Sequence, residues 1–596
     1  MRAKNWVQIR KDLIDVAMGR SPADLVVTNG QWVNVQSGEI IPSTDIAIRN
    51  NHIAFVGDDA SHTIGPNTQK IDGNGKFLVP GLLDAHMHVE SGMVTVTEFV
   101  RSVAPRGTTG MFVDPHEIAN VFGLKGVKLM VDEAANMPIH VFVEMPSCVP
   151  SAPGLETPGS TITPDDVAKA MEWEGIIGLG EMMNFPGVFN NDEKMLEEMA
   201  ETINAGKVIG GHYASLDLGL PLHGYIAGGP EDDHEGTRKE DAIARVRQGM
   251  KVMMRLGSAW HDVAEQVKAV TENGLDPRHF ILCTDDSHSG TLINEGHMDR
   301  VVRHAIDQGL EPLTAIQMAT INSAEHFGVS RELGMIAPGR FADILLVKDL
   351  DDFNAETVIA KGQIIAEKGD LILDIPSFQY PAWSTQSVNL GKSLSADDFI
   401  LPARSDKKTI ANVIGVIENQ APTKHLRLEV TPKEGEIPVD MKNDIIKIAL
   451  VERHQGTGGI QVGLVHGFGF NSPCGLATTV AHDSHHMIVI GTSESDMAIA
   501  ANELAKVNGG QIVVKDGETI GLVELPIAGL MSNERAEIVA EKAETILNGF
   551  RKCGCTMNNP NMQMSLLALV VIPELRISDL GLVDVTKFDF VPVLTE

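Results

Sequence analysis

The chain has 596 residues, which suggests about four domains of roughly 150 residues, or fewer if one of them is a large barrel. Hydrophobic residues make up 43% and charged residues 21%, an ordinary globular composition that excludes a disordered or fibrous chain. The 48 basic and 80 acidic residues give a formal net charge of -32, which disfavours nucleic acid and anionic lipid as partners.

Cysteine content and apolar runs bear on the compartment. Five cysteines in 596 residues are too few for a disulfide framework and indicate a reducing environment. The sequence has no apolar run near the ~18 residues that a membrane span needs. The first residues, MRAKNWVQIRKDLIDVAMG, alternate charged and apolar side chains, unlike a secretory signal. We therefore expect a cytoplasmic protein without a membrane partner.

The first 80 residues predict a helix followed by strands. Residues 1–22 read as an amphipathic helix that ends near Gly19 and a Ser-Pro break. From 23 to 80, short β-rich runs are separated by turn pairs such as Asn29-Gly30. Similar runs return at 336–385. We expect these two segments to form one small composite β-sandwich.

Between residues 81 and 335, short apolar runs alternate with helical segments, which is typical of a (β/α)8, TIM-like barrel in the α/β class. Eight runs can be counted, of which the sixth has little strand character: FLVPGLLDAH, TTGMFVDPH, IHVFVEMPS, IIGLGEMM, KVIGGHY, EDDHE, KVMMRLG and HFILCTDD. From 390 to 596, five further strand-like runs and two helical ones predict a C-terminal α+β domain.

The first barrel strand ends in Asp84-Ala85-His86-Met87-His88. Residues two apart on a strand project to the same side, so His86 and His88 can converge inside the barrel mouth. Neutral imidazole is a good ligand for divalent transition metals. The alternative is a pair of hydrogen-bonded histidines near a turn.

Ionisable side chains also end several later strands. They are Glu181, His212, His234 and Asp285. Barrel active sites lie at the C-terminal ends of the strands, and such groups cost folding free energy there unless they are paired or bound to metal. Four histidines, one bridging carboxylate and one aspartate suffice for two adjacent ions, so the set predicts a binuclear metal site.

These motifs resemble the amidohydrolase superfamily and, over nearly the whole chain, the bacterial adenine deaminase family within it. The resemblance is carried by VPGLLDAHMHVESGM (79–93), VDPHEIANV (113–121), GLGEMMNFPGV (178–188), GGHYA (210–214), EDDHE (231–235), CTDDSH (283–288) and VAHDSHHMIVIGTSESDMA (480–498). It implies an amidohydrolase-type barrel, the C-terminal domain of that family, and a metal-dependent aminohydrolase that converts adenine and water to hypoxanthine and ammonia in purine salvage.

The resemblance also implies how the metals are held. One ion would be bound by His86, His88 and Asp285, the other by His212 and His234, with Glu181 bridging them. Dihydroorotases and hydantoinases bridge their metals with a carboxylated lysine instead, whereas Lys169 and Lys194, the nearest lysines here, lie in predicted helices. Mn²⁺ or Fe²⁺ is implied, with Zn²⁺ also compatible with these ligands, as is a homodimer or higher homo-oligomer.

Further residues are expected to act on the substrate. Asp285 is the expected proton-transfer group of the deamination. His116 and Glu117 follow the second strand, where one of them would bind the purine or protonate a ring nitrogen. A second interpretation makes Glu117 a helix-start carboxylate stabilised by the helix dipole. Glu90 and Ser91, just after the histidine pair, are further substrate-binding candidates.

Two groups remain open in role. Asp286 and His288 flank Asp285 and are expected to orient metal ligands. The segment 482–486, with the sequence His-Asp-Ser-His-His, could cover the barrel mouth, bind a further ion, contact a partner subunit or form a polar turn. Because barrel loops set specificity, two alternative functions stay open: hydrolysis of another cyclic amidine or amide, and a non-catalytic scaffold.

Overall fold

The structure, a computed structural model, describes residues 3–595. The helix predicted at 1–22 is α1 (Ala3–Ala17), and residues 1 and 2 lie outside the described residues. Buried Leu13 and Val16 pack this helix onto the first strands. Those strands are β1 (Leu25–Asn34), β2 (Glu39–Arg49), β3 (His52–Gly57), β4 (Gln69–Asp72) and β5 (Phe77–Pro80).

The eight runs predicted as barrel strands are all strands. They are β6 (Leu82–His88), β7 (Thr108–Val113), β8 (His140–Met145), β9 (Ile176–Met182), β10 (Val208–Gly211), β11 (Asp232–Asp233), β12 (Lys251–Arg255) and the pair β13 (Phe280–Cys283) and β14 (Asp285–Asp286). Since only Thr284 separates β13 from β14, the two act as one eighth strand. The sixth strand, β11, has just two residues.

The barrel strands run parallel in chain order. Pairing gives one sheet in the order β10-β9-β8-β7-β6-β14 and another in the order β11-β12-β13. Between β10 and β11 the Glu231 amide donates to the Ile209 carbonyl at 2.9 Å. The strands therefore curl as in a TIM-like barrel, with their C-terminal ends at one mouth.

Helices follow the strands and cover the barrel. Buried Val301, Val302 and Ala305 of one helix, for example, face the barrel core on one stripe. The helices are α2 (Val96–Val103), α3 (His116–Phe122), α4 (Leu124–Ala134), α5 (Pro164–Met171), α6 (Phe185–Phe189), α7 (Glu193–Asn204), α8 (Leu220–Gly228), α9 (Lys239–Arg247), α10 (Val263–Gln266), α11 (Lys268–Thr271), α12 (Ser289–Asn294), α13 (Met298–Asp307), α14 (Pro312–Met318) and α15 (Ile321–His326).

Strands before and after the barrel join in one sheet. The later ones are β15 (Ile344–Val347), β16 (Ala355–Ala360), β17 (Gln363–Glu367) and β18 (Asp370–Leu371). The sheet order is β18-β17-β16-β15-β5-β1-β2-β3, with β4 paired to β1. Strand β15 lies antiparallel to β5. Because β5 leads almost directly into β6, this sheet anchors the strand that carries His86 and His88.

The C-terminal region is built on a second nine-stranded sheet and a three-stranded one. Its elements are β19 (Thr409–Gly415), β20 (Lys424–Val430), β21 (Ile445–Val451), β22 (Ile460–His466), β23 (Cys474–Thr478), β24 (Met487–Gly491), α16 (Glu494–Lys506), β25 (Gly510–Lys515), β26 (Glu518–Glu524), α17 (Ala536–Cys553), α18 (Pro560–Ser565), β27 (Leu575–Ser578), β28 (Gly581–Asp584), β29 (Asp589–Val591) and β30 (Leu594–Thr595). Strands β19, β23 and β26 to β30 and helix α18 go beyond the sequence prediction.

This region docks on the barrel beside the mouth. The Ser532 amide donates to the Met93 carbonyl at 2.9 Å, and the Thr95 amide donates to the Ser532 carbonyl at 3.2 Å. Met93 follows the histidine pair of β6 by only a few residues. Among residues 3–595, no helix is both long and apolar enough to cross a lipid bilayer.

Candidate metal centre

His86 and His88 lie at the C-terminal end of β6 with their side chains buried. His88 Nδ1 is 2.8 Å from the Asp114 carbonyl oxygen. Because a carbonyl only accepts, Nδ1 carries a proton, so in the neutral ring the lone pair would lie on Nε2. That Nε2 lies 3.6 Å from Glu181 Oε1 and 3.3 Å from Asp285 Oδ1. The ring is thus held in the tautomer that a metal ligand needs.

Glu181, at the end of β9, occupies the middle of the group. Its Oε2 is 2.5 Å from His212 Nδ1 and 3.0 Å from His234 Nε2. The same Oε2 is 3.9 Å from His86 Nε2, whereas Oε1 faces His88. The two carboxylate oxygens therefore face different histidines, which is the arrangement that a bridging carboxylate requires.

Asp285 ends the eighth strand and points one oxygen at this group. Its Oδ2 accepts a hydrogen bond from Arg255 Nη1 at 2.8 Å, which leaves Oδ1 toward His88. Its φ of +60° lies in the left-handed region that residues other than glycine seldom adopt. Arg255 is itself held by Asp262 at 2.6 Å and by Glu235. A buried ion-pair network therefore fixes the direction of Asp285.

The electrostatics keep both carboxylates ionised. Burial alone would raise the pKa of Glu181, but the imidazoles of His212 and His234 hold that pKa well below its usual range. Burial likewise opposes ionisation of Asp285, yet His88 and Arg255 lower its pKa. Carboxylate anions are the form that binds cations.

The residues present fit a pair of divalent ions. Candidate ligand atoms lie within 4.8 Å of one another in the groups His86, His88, Glu181 and Glu181, His212, His234. His86 Nε2 is buried and has no hydrogen-bond partner within residues 3–595. A buried nitrogen of that kind costs free energy that coordination would recover. Mixed nitrogen and oxygen donors suit Mn²⁺, Fe²⁺ or Zn²⁺.

A second layer of acidic residues lies next to this group. The Ser91 hydroxyl lies 3.4 Å from Glu117 Oε1 and also donates to Asp286. Glu90 Oε1 accepts from the Ile118 amide at 3.3 Å. Burial raises the pKa of Glu90 to about 7, and burial together with the Glu90 charge raises the pKa of Glu117 well above its ordinary value. Burial therefore favours the protonated form of the Glu117 carboxyl group.

His116 connects the two layers. Its Nδ1 is 3.3 Å from Glu181 Oε1, and burial and His88 lower its pKa, which keeps the ring neutral. Helix α3 begins at His116, so Glu117 lies in the first helical turn, as the helix-start interpretation expects, and also faces the mouth. Of the two flanking residues, Asp286 contacts Ser91, and His288 Nδ1 lies 3.0 Å from the Ser91 carbonyl.

Sequence reasoning missed three residues of this site. Asp114 Oδ2 accepts from the Glu181 amide at 2.8 Å, Glu144 lies 3.9 Å from His86 Nδ1, and Arg255 fixes Asp285. Each lies at or just beyond the end of a barrel strand, so a stricter search for polar residues at strand ends would have found them.

The C-terminal region also reaches the mouth. His482 Nδ1 lies 3.8 Å from Glu117 Oε1, and Asp483 Oδ1 lies 4.0 Å from His116 Nε2. Of the interpretations open for segment 482–486, this position favours a cover over the mouth.

Known families match both halves of this arrangement. The amidohydrolase family model matches residues 77–365, which include every barrel strand. The model of the adenine deaminase C-terminal domain matches residues 420–589. The barrel belongs to the amidohydrolase family.

Relatives match over nearly the full length. An adenine deaminase of Mesorhizobium japonicum is 62% identical over 588 residues, 98% of this chain and 97% of the relative. Adenine deaminase 3 of Rhizobium meliloti is 61% identical over 99% of both chains. An adenine deaminase of Ruegeria pomeroyi is 58% identical over 99% of this chain and 98% of the relative. The chain belongs to the adenine deaminase family.

Proposed function

We propose that this protein is an adenine deaminase, which hydrolyses adenine to hypoxanthine and ammonia in purine salvage. The observation that carries the proposal is the position of Glu181, whose two oxygens face separate histidines at the mouth of an amidohydrolase barrel. Relatives that are 58–62% identical over the full length bear the name adenine deaminase.

The proposed ligands follow from this geometry. His86, His88 and Asp285 would hold one ion and His212 and His234 the other, with Glu181 shared between them; Mn²⁺ or Fe²⁺ would suit these donors, and Zn²⁺ is chemically compatible. When bound, such ions lower the pKa of water so that hydroxide is available to attack C6 of adenine.

Asp285 is proposed to move the proton. Its Oδ1 points into the centre while Arg255 holds Oδ2, so one oxygen is free to take a proton from the attacking water. The same oxygen then delivers the proton toward the departing amino group. Such a positioned base contributes about 10²–10⁴-fold to a rate.

Four neighbouring residues are proposed to hold the purine: His116, Glu117, Glu90 and Ser91. Glu117 also acts in catalysis, because burial raises its pKa and favours the protonated carboxyl group, which can donate its proton to a ring nitrogen as C6 is attacked. Neutral His116, next to Glu181, is placed to hydrogen-bond the ring. Ser91 and Glu90 keep Glu117 in position.

We also propose the finer organisation of the chain. It comprises an N-terminal helix (1–22), a β-sandwich from 23–80 and 336–385, a catalytic barrel (81–335) and the C-terminal α+β domain (390–596). The pairing of β5 with β15, which joins the strands before and after the barrel in one sheet, supports the composite β-sandwich. All five cysteines are free and buried, which supports a cytoplasmic location. A homodimer or higher homo-oligomer is proposed from the family resemblance.

An ammonia-release assay on Mn²⁺-loaded protein tests the function, with adenine, adenosine and guanine as substrates. We expect turnover of adenine alone. The matched control is Glu181→Gln, which keeps the shape of the side chain but removes its charge. Release from a different cyclic amidine and none from adenine would favour the broader amidohydrolase alternative. Protein that purifies without stoichiometric metal and releases no ammonia would favour a scaffold.

A further inference from the structure

A buried loop of the C-terminal region enters the barrel mouth. This mouth loop, residues 481–486, connects β23 to β24, and each of its six residues is buried. The loop places polar side chains of the C-terminal region next to the active site of the barrel. Most of these side chains hold the loop in place. The remaining ones have no such structural role and indicate what the loop binds.

The C-terminal region holds the backbone of the loop from behind. Buried Arg453 donates to the carbonyls of Ser387 at 3.0 Å and Ala528 at 3.1 Å and also to that of His485. His454 Nε2 lies 2.7 Å from the Ser484 carbonyl. A buried arginine that binds carbonyls in three segments fixes where the loop lies.

The barrel holds the loop from the other side. His486 Nε2 lies 2.6 Å from the Thr157 carbonyl in the segment that follows β8. Asp579 in turn accepts from the Thr157 amide at 3.0 Å. His485 Nδ1 accepts from the Ala481 amide at 3.2 Å, within the loop itself. His485 and His486 are therefore used to build and attach the loop.

His482 and Asp483 are left facing the active site. Their 3.8 Å and 4.0 Å separations from Glu117 and His116 are too long for direct hydrogen bonds. Asp483 Oδ2 is buried and has no hydrogen-bond partner among residues 3–595, and the same holds for Glu117 Oε2. The Asp483 oxygen, a buried acceptor without a donor at this opening, indicates a ligand that brings an N–H group.

We infer that His482 and Asp483 form the outer wall of the purine pocket and make it specific for the free base over the nucleoside. This inference rests on the proposed function. C6 must lie at Glu181 and Asp285, so the opposite, imidazole edge of the purine points away from the metal centre. On that outer side Asp483 lies beyond His116. That edge carries an N–H in adenine, and in adenosine the nitrogen carries ribose instead.

The physical basis is the unpaired carboxylate. Asp483 Oδ2 accepts the N–H of the free base. A nucleoside lacks that donor, and its sugar would have to fit beside a loop that Arg453 fixes. A site built to hydrogen-bond a group rejects analogues that lack the group far more strongly than an apolar pocket does. Asp483 is accordingly a specificity-determining residue supplied by the C-terminal region.

The test uses the full-length, Mn²⁺-loaded protein and the variants Asp483→Ala, Asp483→Asn and His482→Gln. The matched control is Asp516→Asn, an exposed aspartate of the same region. Metal content, kcat and KM for adenine, turnover of adenosine, and the Kd of hypoxanthine by calorimetry are measured. We expect KM and Kd to rise about tenfold or more in the Asp483 variants, while metal content is unchanged and kcat falls much less.

Two results would overturn the inference. Unchanged KM and Kd in folded Asp483→Ala, which removes both acceptor oxygens, would show that the residue does not touch the purine. A metal content that falls by one ion per chain would show that the loop holds a cation instead. If Asp483→Ala does not fold, the isosteric Asp483→Asn and His482→Gln decide the matter. Wild-type protein that binds hypoxanthine through Asp483 but releases no ammonia from adenine would refute the proposed function and leave the pocket inference standing.

Discussion

Two histidine-rich segments of this chain look alike in sequence and differ in structure. In β6 the chain stays extended and both His86 and His88 face Glu181, although the pairing with β7 shifts register between Asp84 and Met87. In the mouth loop, His485 has a φ of +51° and the chain turns, so neighbouring side chains point in different directions. Spacing of two residues therefore predicts convergence only where the backbone stays extended.

The segments also differ in what occupies their nitrogen atoms. His88 and His86 direct Nε2 atoms at the carboxylate group, and that of His86 has no partner among the described residues. His486 instead places Nε2 against a carbonyl of the barrel. The β6 segment is arranged for metal binding, whereas His485 and His486 of the mouth loop hold that loop in place.

The largest expected effect lies in the first segment. Changing His86 or Glu181 to alanine should abolish turnover, because each removes a proposed ligand and leaves the other buried groups unpaired. Metal analysis and ammonia release on the same samples measure this, with exposed His62→Ala as control. Substantial activity in a fully metal-loaded variant would contradict the two-ion assignment.

Asp285→Asn should have the next largest effect. The amide keeps the shape of the side chain and an oxygen for the ion but has no proton-accepting carboxylate, so kcat should fall by about 10²–10⁴-fold. Metal content should stay near that of the wild type. A near-normal rate would remove the proton-transfer role.

Much of the barrel could be predicted from sequence because apolar runs report burial directly. The sixth strand was found from its place in the series, since Asp232–Asp233 has no apolar character of its own. Strand β23, with the sequence CGLAT, was missed because small residues give little alternation. The proposed ligands at strand ends were found by the same rule, whereas the position of the mouth loop depends on long-range contacts such as that from His486 to Thr157, which spacing does not encode.

Metal loading should stabilise the folded protein, and the size of this gain in variants should distinguish the β6 segment from the mouth loop. An ion that binds only the folded state adds about 2.7 kcal/mol at a free concentration 100 times its Kd. Thermal unfolding with chelator and with Mn²⁺ should show this gain in the wild type and in His486→Ala. Glu181→Ala should lose most of it, and an equal gain in that variant would place the stabilising ion elsewhere.

The smallest expected effect comes from removing His486, which attaches the mouth loop to the barrel. His486→Ala empties a fully buried position and removes the contact of that ring with the Thr157 carbonyl, which should cost about 0.5–3 kcal/mol of unfolding free energy. Urea unfolding measures this loss, and half-buried His466→Ala of the same region is the control. Because His486 fixes the loop that carries Asp483, KM for adenine should rise while metal content stays constant. A fall in metal content would mean instead that the second segment, like the first, holds an ion.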